Sequence, residues 1–100
     1  MDCKIILSKA AIQEIQTSYQ WYEERSAGLG KQFVNYLDAT IKLITLNPEG
    51  FPIKVGSYRE IIFSKFPYLV VYEYVKEEHV IFILHIFHTK RSPVHKYKRK

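Results

Sequence analysis

Three β-rich runs joined by very short connections constrain the fold of this chain more than any other feature. The runs are YREIIF (58–63), YLVVYEYV (68–75) and HVIFILHIFH (79–88). Parallel neighbouring strands need a crossover of about a dozen residues or more, whereas antiparallel strands can be joined by a tight turn. The runs therefore predict an antiparallel meander in the second half of the sequence.

The segment after the meander, residues 89–100, is a strongly basic tail. It holds six of the 15 Lys and Arg residues and none of the 10 acidic residues, so the net charge of +5 comes from the tail. This distribution predicts an anionic partner, although charge runs are also often simply solvated ends. The candidate target-binding residues of the tail are Lys90, Arg91, Lys96, Lys98 and Arg99.

Length and composition indicate a single domain over residues 1–100. A hydrophobic content of 47% is enough for a packed core. Cys3 is the only cysteine, so no internal disulfide can form and a reducing compartment, the cytoplasm, is expected. The sequence has no signal-peptide pattern and no apolar run of about 18 residues, so no membrane association is expected.

Two amphipathic helices are predicted before the meander, at about 8–25 and 30–46. Ser8 is a suitable N-cap for the first, glycine can end that helix near 26–28, and Asn47–Pro48 ends the second. The predicted apolar stripe of the first helix is Ile12, Ile15, Tyr19 and Tyr22, with Gln13, Glu14, Gln16 and Gln20 on the opposite side. The predicted stripe of the second is Phe33, Leu37, Ile41 and Ile44, widened by Val34, Tyr36 and Leu43.

The run at 79–88 is apolar on both faces, which is typical of a central strand. Strict alternation directs Val80, Phe82, Leu84 and Ile86 to one face, and Ile81, Ile83 and Phe87 to the other. His85 and His88 then lie on opposite faces and cannot form one site. With Lys4–Leu7 placed beside this strand, we expect an α+β fold, an antiparallel two-helix hairpin on a four-stranded, mainly antiparallel sheet in the order β-α-α-β-β-β.

The order and spacing of these segments resemble the RelE/ParE superfamily of type II toxin–antitoxin toxins over nearly the whole chain. The matching segments are SKAAIQEI (8–15), YEERSAGLGKQF (22–33), IKLITLNP (41–48), YREIIFSKFPYLVVYEY (58–74) and HIFHTKRSP (85–93). The helix turn, the Phe-Pro-Tyr segment and the His-x-x-Arg-x-Pro ending are more similar to the ParE branch than to the ribonuclease branch.

The resemblance implies different chemistry for the two branches. RelE-like ribonucleases cut mRNA on the ribosome with cations on the sheet and a Tyr or His near the C-terminus. Their arginine on the middle meander strand is matched here by Leu69, and their lysine pair on the preceding strand by Arg59 and Ile61. Arg91 and Tyr97 do reproduce the spacing of the ribonucleases' C-terminal Arg-x5-Tyr pair.

The resemblance therefore favours a ParE-like toxin without catalytic residues, cofactor or metal. It implies DNA gyrase as the target, bound through Arg59 and the tail, and a cognate antitoxin that lays an acidic, apolar segment over the groove between the helices and the sheet. The alternatives are a ribosome-dependent mRNA endonuclease using Arg59, His88, Arg91 and Tyr97, and a degenerate member that only binds its antitoxin. Arg59 could instead be a solvated residue paired with Glu73 or Glu60, and His88 could cap the sheet.

Overall fold

The structure is a computed structural model that describes residues 3–63 and 65–89. Its helices are α1 (Lys9–Arg25) and α2 (Leu29–Leu46). Its strands are β1 (Lys4–Leu7), β2 (Ile53–Val55), β3 (Tyr58–Ile62), β4 (Tyr68–Val75) and β5 (Val80–His88). The sheet order is β1-β5-β4-β3-β2; β1 runs parallel to β5, and all other neighbours are antiparallel.

The predicted architecture is confirmed, with one correction to the strand count. The sheet has five strands within the described residues instead of four, because Ile53–Val55 pairs with the start of β3 as an edge strand. Three residues are too few to show the period-2 alternation that marks a strand in a sequence. The predicted placement of Lys4–Leu7 beside β5 is confirmed.

Local capping explains where the helices begin and end. The Ser8 hydroxyl accepts a hydrogen bond from the Ala11 N–H at 2.9 Å, as expected for an N-cap. Gly28 takes a left-handed conformation (φ 89°) between the helices. The Glu23 carboxylate then bridges the turn, because it accepts from the N–H groups of Gly28 at 2.8 Å and Gly30 at 2.9 Å.

The buried face of α1 is rotated from the predicted one. Ile12 is 42% exposed and Tyr19 is 40% exposed, whereas Ala11 and Ser18 are buried together with Tyr22. Small residues allow a helix to approach its neighbours closely, but they add little to a hydrophobic pattern. In α2 the predicted Phe33, Leu37 and Ile44 are buried and Ile41 is partly buried, but Leu43 faces solvent.

A β-bulge in β5 corrects the predicted alternation. Val71 lies opposite His85 and Tyr72 lies opposite Ile83, so Leu84 is an extra residue in β5. Beyond it the two faces are exchanged: Ile86 joins the helix-side core and Phe87 joins the opposite face. The predicted separation of the histidines is nevertheless confirmed, since the His85 ring stacks on Phe87 and the His88 ring meets Tyr68 in the helix-side core.

The sheet carries an apolar cluster on each face. The helix-side core joins residues of both helices to β3, β4 and β5, including Phe33, Ile44, Tyr72, Ile81 and Ile83. The outer face of the sheet has a smaller buried cluster of Val71, Leu84 and Phe87, with Tyr58, Leu69 and Phe82 partly buried beside it. Neither helix is long and apolar enough to cross a membrane, as judged over the described residues.

Candidate functional site

Arg59 is directed toward the loop that follows α2, not toward an acidic side chain. It lies opposite the buried Tyr72 in the β3–β4 pairing, on the helix side of the sheet. Its Nη1 donates to the carbonyl oxygens of Glu49 at 3.1 Å and Phe51 at 2.7 Å. The alternative in which Arg59 pairs with Glu73 or Glu60 is therefore wrong, because both acids belong to the outer face.

Tyr72 also binds the loop that follows α2. Its hydroxyl donates to the Pro48 carbonyl oxygen at 2.7 Å, and its side chain is fully buried. Burial raises the pKa of Tyr72 to about 12, while the positive charge of Arg59 acts in the opposite direction. Arg59 and Tyr72 together fix residues 48–51, which we call the 48–51 loop, against the sheet.

The candidate ribonuclease residues Arg59 and His88 are not brought together. His88 lies opposite Tyr68, and the centroids of their rings are 5.2 Å apart. Arg59 lies opposite Tyr72, four residues further along β4 and on its other side. Four residues of strand span about 13 Å. One phosphate group could not contact both side chains without a large rearrangement.

The outer face of the sheet is apolar and acidic where Leu69 lies. Leu69 is opposite Ile62 on one side and Phe87 on the other. Glu60 and Glu73 belong to the same face, and Glu73 accepts a hydrogen bond from the Ser57 hydroxyl at 2.7 Å. Arg59 is the only Lys or Arg within β3, β4 and β5, and it occupies the opposite face.

The other predicted site residues fall outside the described part of the chain. These are Lys90, Arg91, Lys96, Tyr97, Lys98 and Arg99. The last described residue is Thr89, whose N–H donates to the Pro67 carbonyl oxygen at 2.8 Å. The tail thus begins beside the Phe66–Pro67–Tyr68 segment, at the same end of the sheet as His88.

Sequence reasoning missed a partly buried polar site formed by Glu14. This residue was assigned to the solvent side of α1, but its Oε1 accepts from the Ile86 N–H at 2.8 Å and its Oε2 lies 3.1 Å from the His85 Nδ1. The i, i+3 and i+4 spacing of apolar residues in a helix carries no information about a hydrogen-bond partner that lies 72 residues away in the sequence. Among the residues that the structure describes, no group of three His, Cys, Asp or Glu side chains could hold a metal ion.

Comparison with known proteins identifies the family. Residues 5–93 match the family model described as the ParE toxin of the type II toxin–antitoxin system, parDE. The chain belongs to the ParE toxin family. No match was found among curated proteins.

Solved structures of low sequence identity share the fold of this ParE-family chain. A protein of the chromosomal ParDE toxin–antitoxin system from P. aeruginosa is 17% identical and superposes with a TM-score of 0.75, over 88% of this chain and 97% of that one. A mutant of the E. coli toxin RelE in the free state is 16% identical with a TM-score of 0.65, over 92% and 88% of the two chains. A chain of the intact E. coli RelBE toxin–antitoxin complex is 15% identical with a TM-score of 0.64, over 89% and 99%.

Proposed function

We propose that this ParE-family protein is the toxin of a bacterial type II toxin–antitoxin module, that it arrests growth by inhibiting DNA gyrase, and that a cognate antitoxin neutralises it in the cytoplasm. It acts by binding its target and needs neither cofactor nor catalytic residues. The observation that carries the proposal is the chemistry of the sheet: Arg59, the only Lys or Arg of β3–β5, donates to the 48–51 loop, and Leu69 lies in an apolar cluster on the outer face.

Cleavage of RNA would require a different arrangement. The developing charge on a phosphorane is stabilised by cations or other donors directed at the reacting phosphate. Leu69 offers no such donor. The distance between Arg59 and His88 also argues against a cleavage site that contains both residues. The apolar outer face around Leu69 supports a toxin that inhibits a protein.

We assign target binding to positively charged side chains. Arg59 presents a guanidinium whose position is fixed by two backbone carbonyls, so little side-chain entropy remains to be lost on binding. The tail adds the charges that would draw it to an anionic target or an acidic antitoxin segment, and this attraction weakens with added salt. The residues to which we assign target binding are Arg59, Lys90, Arg91, Lys96, Lys98 and Arg99.

Expression without antitoxin tests the proposal. We expect DNA synthesis to stop and a DNA-damage response to begin while ribosome-bound mRNA stays intact, and we expect the purified protein to inhibit supercoiling by purified gyrase. Tyr97→Phe should leave toxicity unchanged, because a packing tyrosine keeps most of its area without its hydroxyl. Cleavage of ribosome-bound mRNA that Tyr97→Phe abolishes would establish the endonuclease alternative instead.

A charge-matched pair of variants tests the role of the tail. Replacing Lys96, Lys98, Arg99 and Lys100 by alanine should weaken gyrase inhibition, and the loss should be larger at low salt than at high salt. The control replaces the four exposed lysines Lys9, Lys31, Lys65 and Lys76 by alanine and removes the same total charge. Equal losses for both variants would show that gyrase inhibition depends on the total charge of the protein and not on the position of the charge in the tail.

A further inference from the structure

The exposed surface of α1 is uncharged over most of the length of the helix. From Ala10 to Tyr22 the helix has a single charged residue, Glu14, whose carboxylate accepts from the Ile86 N–H of β5. Ile12 and Tyr19 keep 42% and 40% of their surface in contact with solvent. We call the exposed residues of this stretch the α1 surface, and they are Ile12, Gln13, Gln16, Thr17, Tyr19 and Gln20.

The second helix of the hairpin has a different exposed surface. The exposed residues of α2 include Lys31, Asp38 and Lys42, and the last two form an ion pair at 3.5 Å. Charged residues are common on helices that face solvent, whereas they are depleted from the centre of protein–protein interfaces. The α1 surface therefore has the composition of an interface, while the exposed side of α2 has the composition of a solvent-facing helix.

Opposite charges lie at the two ends of the α1 surface. Lys9 begins the helix and Glu24 lies in its last turn, and both residues are exposed. They are about 22 Å apart along the helix axis, so they cannot pair within one copy. If two copies cross antiparallel near Gln16, Lys9 of each copy lies beside Glu24 of the other. The same crossing brings Gln13 close to Gln20, and their amides can donate to and accept from each other.

This charge arrangement favours a second copy of the chain over a different partner. An acidic helix laid along the α1 surface would be attracted by Lys9 and repelled by Glu24, and a basic helix would meet the reverse. A second copy in antiparallel orientation satisfies both ends at once, as a twofold interface requires. The repulsion between two chains of net charge +5 is screened beyond about 8 Å at physiological ionic strength.

We propose that the α1 surface is a homodimer interface, in which two copies of this chain cross antiparallel near Gln16 and Lys9 pairs with Glu24 at both ends. The inference does not depend on the proposed target or on an antitoxin. One helix from each copy buries less than about 1,200 Å², the range of weak and transient interfaces. We therefore expect a dimer dissociation constant on the order of 10 µM.

Sedimentation equilibrium of the purified full-length protein tests this inference, over concentrations from about 1 to 100 µM. Lys9→Glu places like charges together at both ends and should weaken the dimer about tenfold. The charge exchange Lys9→Glu with Glu24→Lys should restore the affinity to within about threefold of the parent. The control is Lys31→Glu, an exposed reversal on α2, which should change the affinity less than about twofold.

A second variant probes the centre of the contact. Gln16→Lys places two ammonium groups near the crossing point and should abolish the dimer, while far-UV circular dichroism stays unchanged because the position is exposed. A parent that is monomeric at every concentration overturns the proposal. A dimer that Gln16→Lys leaves intact, or that the charge exchange fails to restore, overturns the antiparallel α1 contact. A monomeric parent whose binding to the neighbouring gene product is lost in Gln16→Lys would assign the surface to that partner instead.

Discussion

Glu14 of α1 completes the edge of β5 by accepting the backbone N–H of Ile86 at 2.8 Å. β1 pairs with β5 only as far as Ile83. Ser8 follows with a hydroxyl that donates to the Leu84 carbonyl oxygen at 2.6 Å, and Glu14 supplies the next acceptor. The side chains of the N-cap Ser8 and of Glu14 thus continue the pairing where β1 ends, and these bonds join the first helix to the last described strand.

Removing the Glu14 carboxylate should destabilise the fold. We expect Glu14→Ala to lower the free energy of unfolding by about 1–3 kcal/mol, because the Ile86 N–H loses its acceptor in a partly buried site. Glu14→Gln keeps an acceptor and should lose less. Urea unfolding measures both, with Glu24→Ala, an exposed position on the same helix, as a control expected within about 0.5 kcal/mol of the parent. Equal stability of Glu14→Ala and the control would refute the role assigned to Glu14.

Tyr72→Phe should cost about 1 kcal/mol at neutral pH, because the Pro48 carbonyl oxygen loses its hydrogen bond. The control is Tyr19→Phe, whose side chain is 40% exposed. Urea unfolding at pH 7 should separate the two variants.

The stability difference between the parent and Tyr72→Phe should also depend on pH. Burial raises the pKa of Tyr72 from 10.0 to about 12, so the unfolded chain loses this proton at lower pH than the folded chain. The raised pKa leaves stability unchanged below pH 10 and reduces it between pH 10 and about 12. The advantage of the parent should therefore shrink by about 1 kcal/mol from pH 9 to pH 11. A constant difference across this range would mean that Tyr72 is not buried as described.

The two glycines of the helix turn should respond differently to alanine. A Cβ at Gly30 would lie 2.6 Å from the Tyr19 carbonyl oxygen, and backbone atoms cannot move aside cheaply. We expect Gly30→Ala to cost about 3 kcal/mol, at the upper end for overpacking. A Cβ at Gly28 meets nothing within 4 Å, so only its left-handed conformation opposes the change, by about 1 kcal/mol. Thermal unfolding that ranks the two variants in the reverse order would contradict the described packing of α1 on α2.

A series of aspartate variants tests the register of α2. Ile44 is fully buried, and Ile44→Asp should cost several kcal/mol, enough to unfold a domain whose total stability is about 5–15 kcal/mol. Ile41 is partly buried and should show an intermediate loss. Leu43 is 52% exposed, so Leu43→Asp should leave the far-UV circular dichroism and the melting temperature nearly unchanged. Unfolding by Leu43→Asp would mean that the helix is rotated.

The features that were predicted from the sequence are those set by neighbouring residues. Ser8 caps α1 through an N–H three residues away, Gly28 supplies a left-handed turn, and Asn47–Pro48 ends α2. The meander followed from its short connections, and the central position of β5 followed from its two apolar faces. Each of these depends on backbone chemistry that operates within a few residues.

The features that were not predicted depend on contacts between distant parts of the chain. The bulge at Leu84 exchanges Ile86 and Phe87 between faces, and no residue type in β5 marks it. The pairing of Arg59 with Glu73 or Glu60 was the expected alternative to a role in target binding, but Arg59 donates to backbone carbonyls, which carry no signal in a sequence. Both depend on how strands and loops align in three dimensions.

The parallel pairing of β1 with β5 fixes the order of events when the protein is made on the ribosome. Leu7 lies opposite Ile83, which is synthesised 76 residues later. At about 5–20 residues per second, the first strand waits roughly 4–15 s for its partner. The helices can form earlier, but the sheet that covers their apolar faces is incomplete until β5 has emerged. The nascent chain therefore cannot complete its sheet until residue 88 is in place.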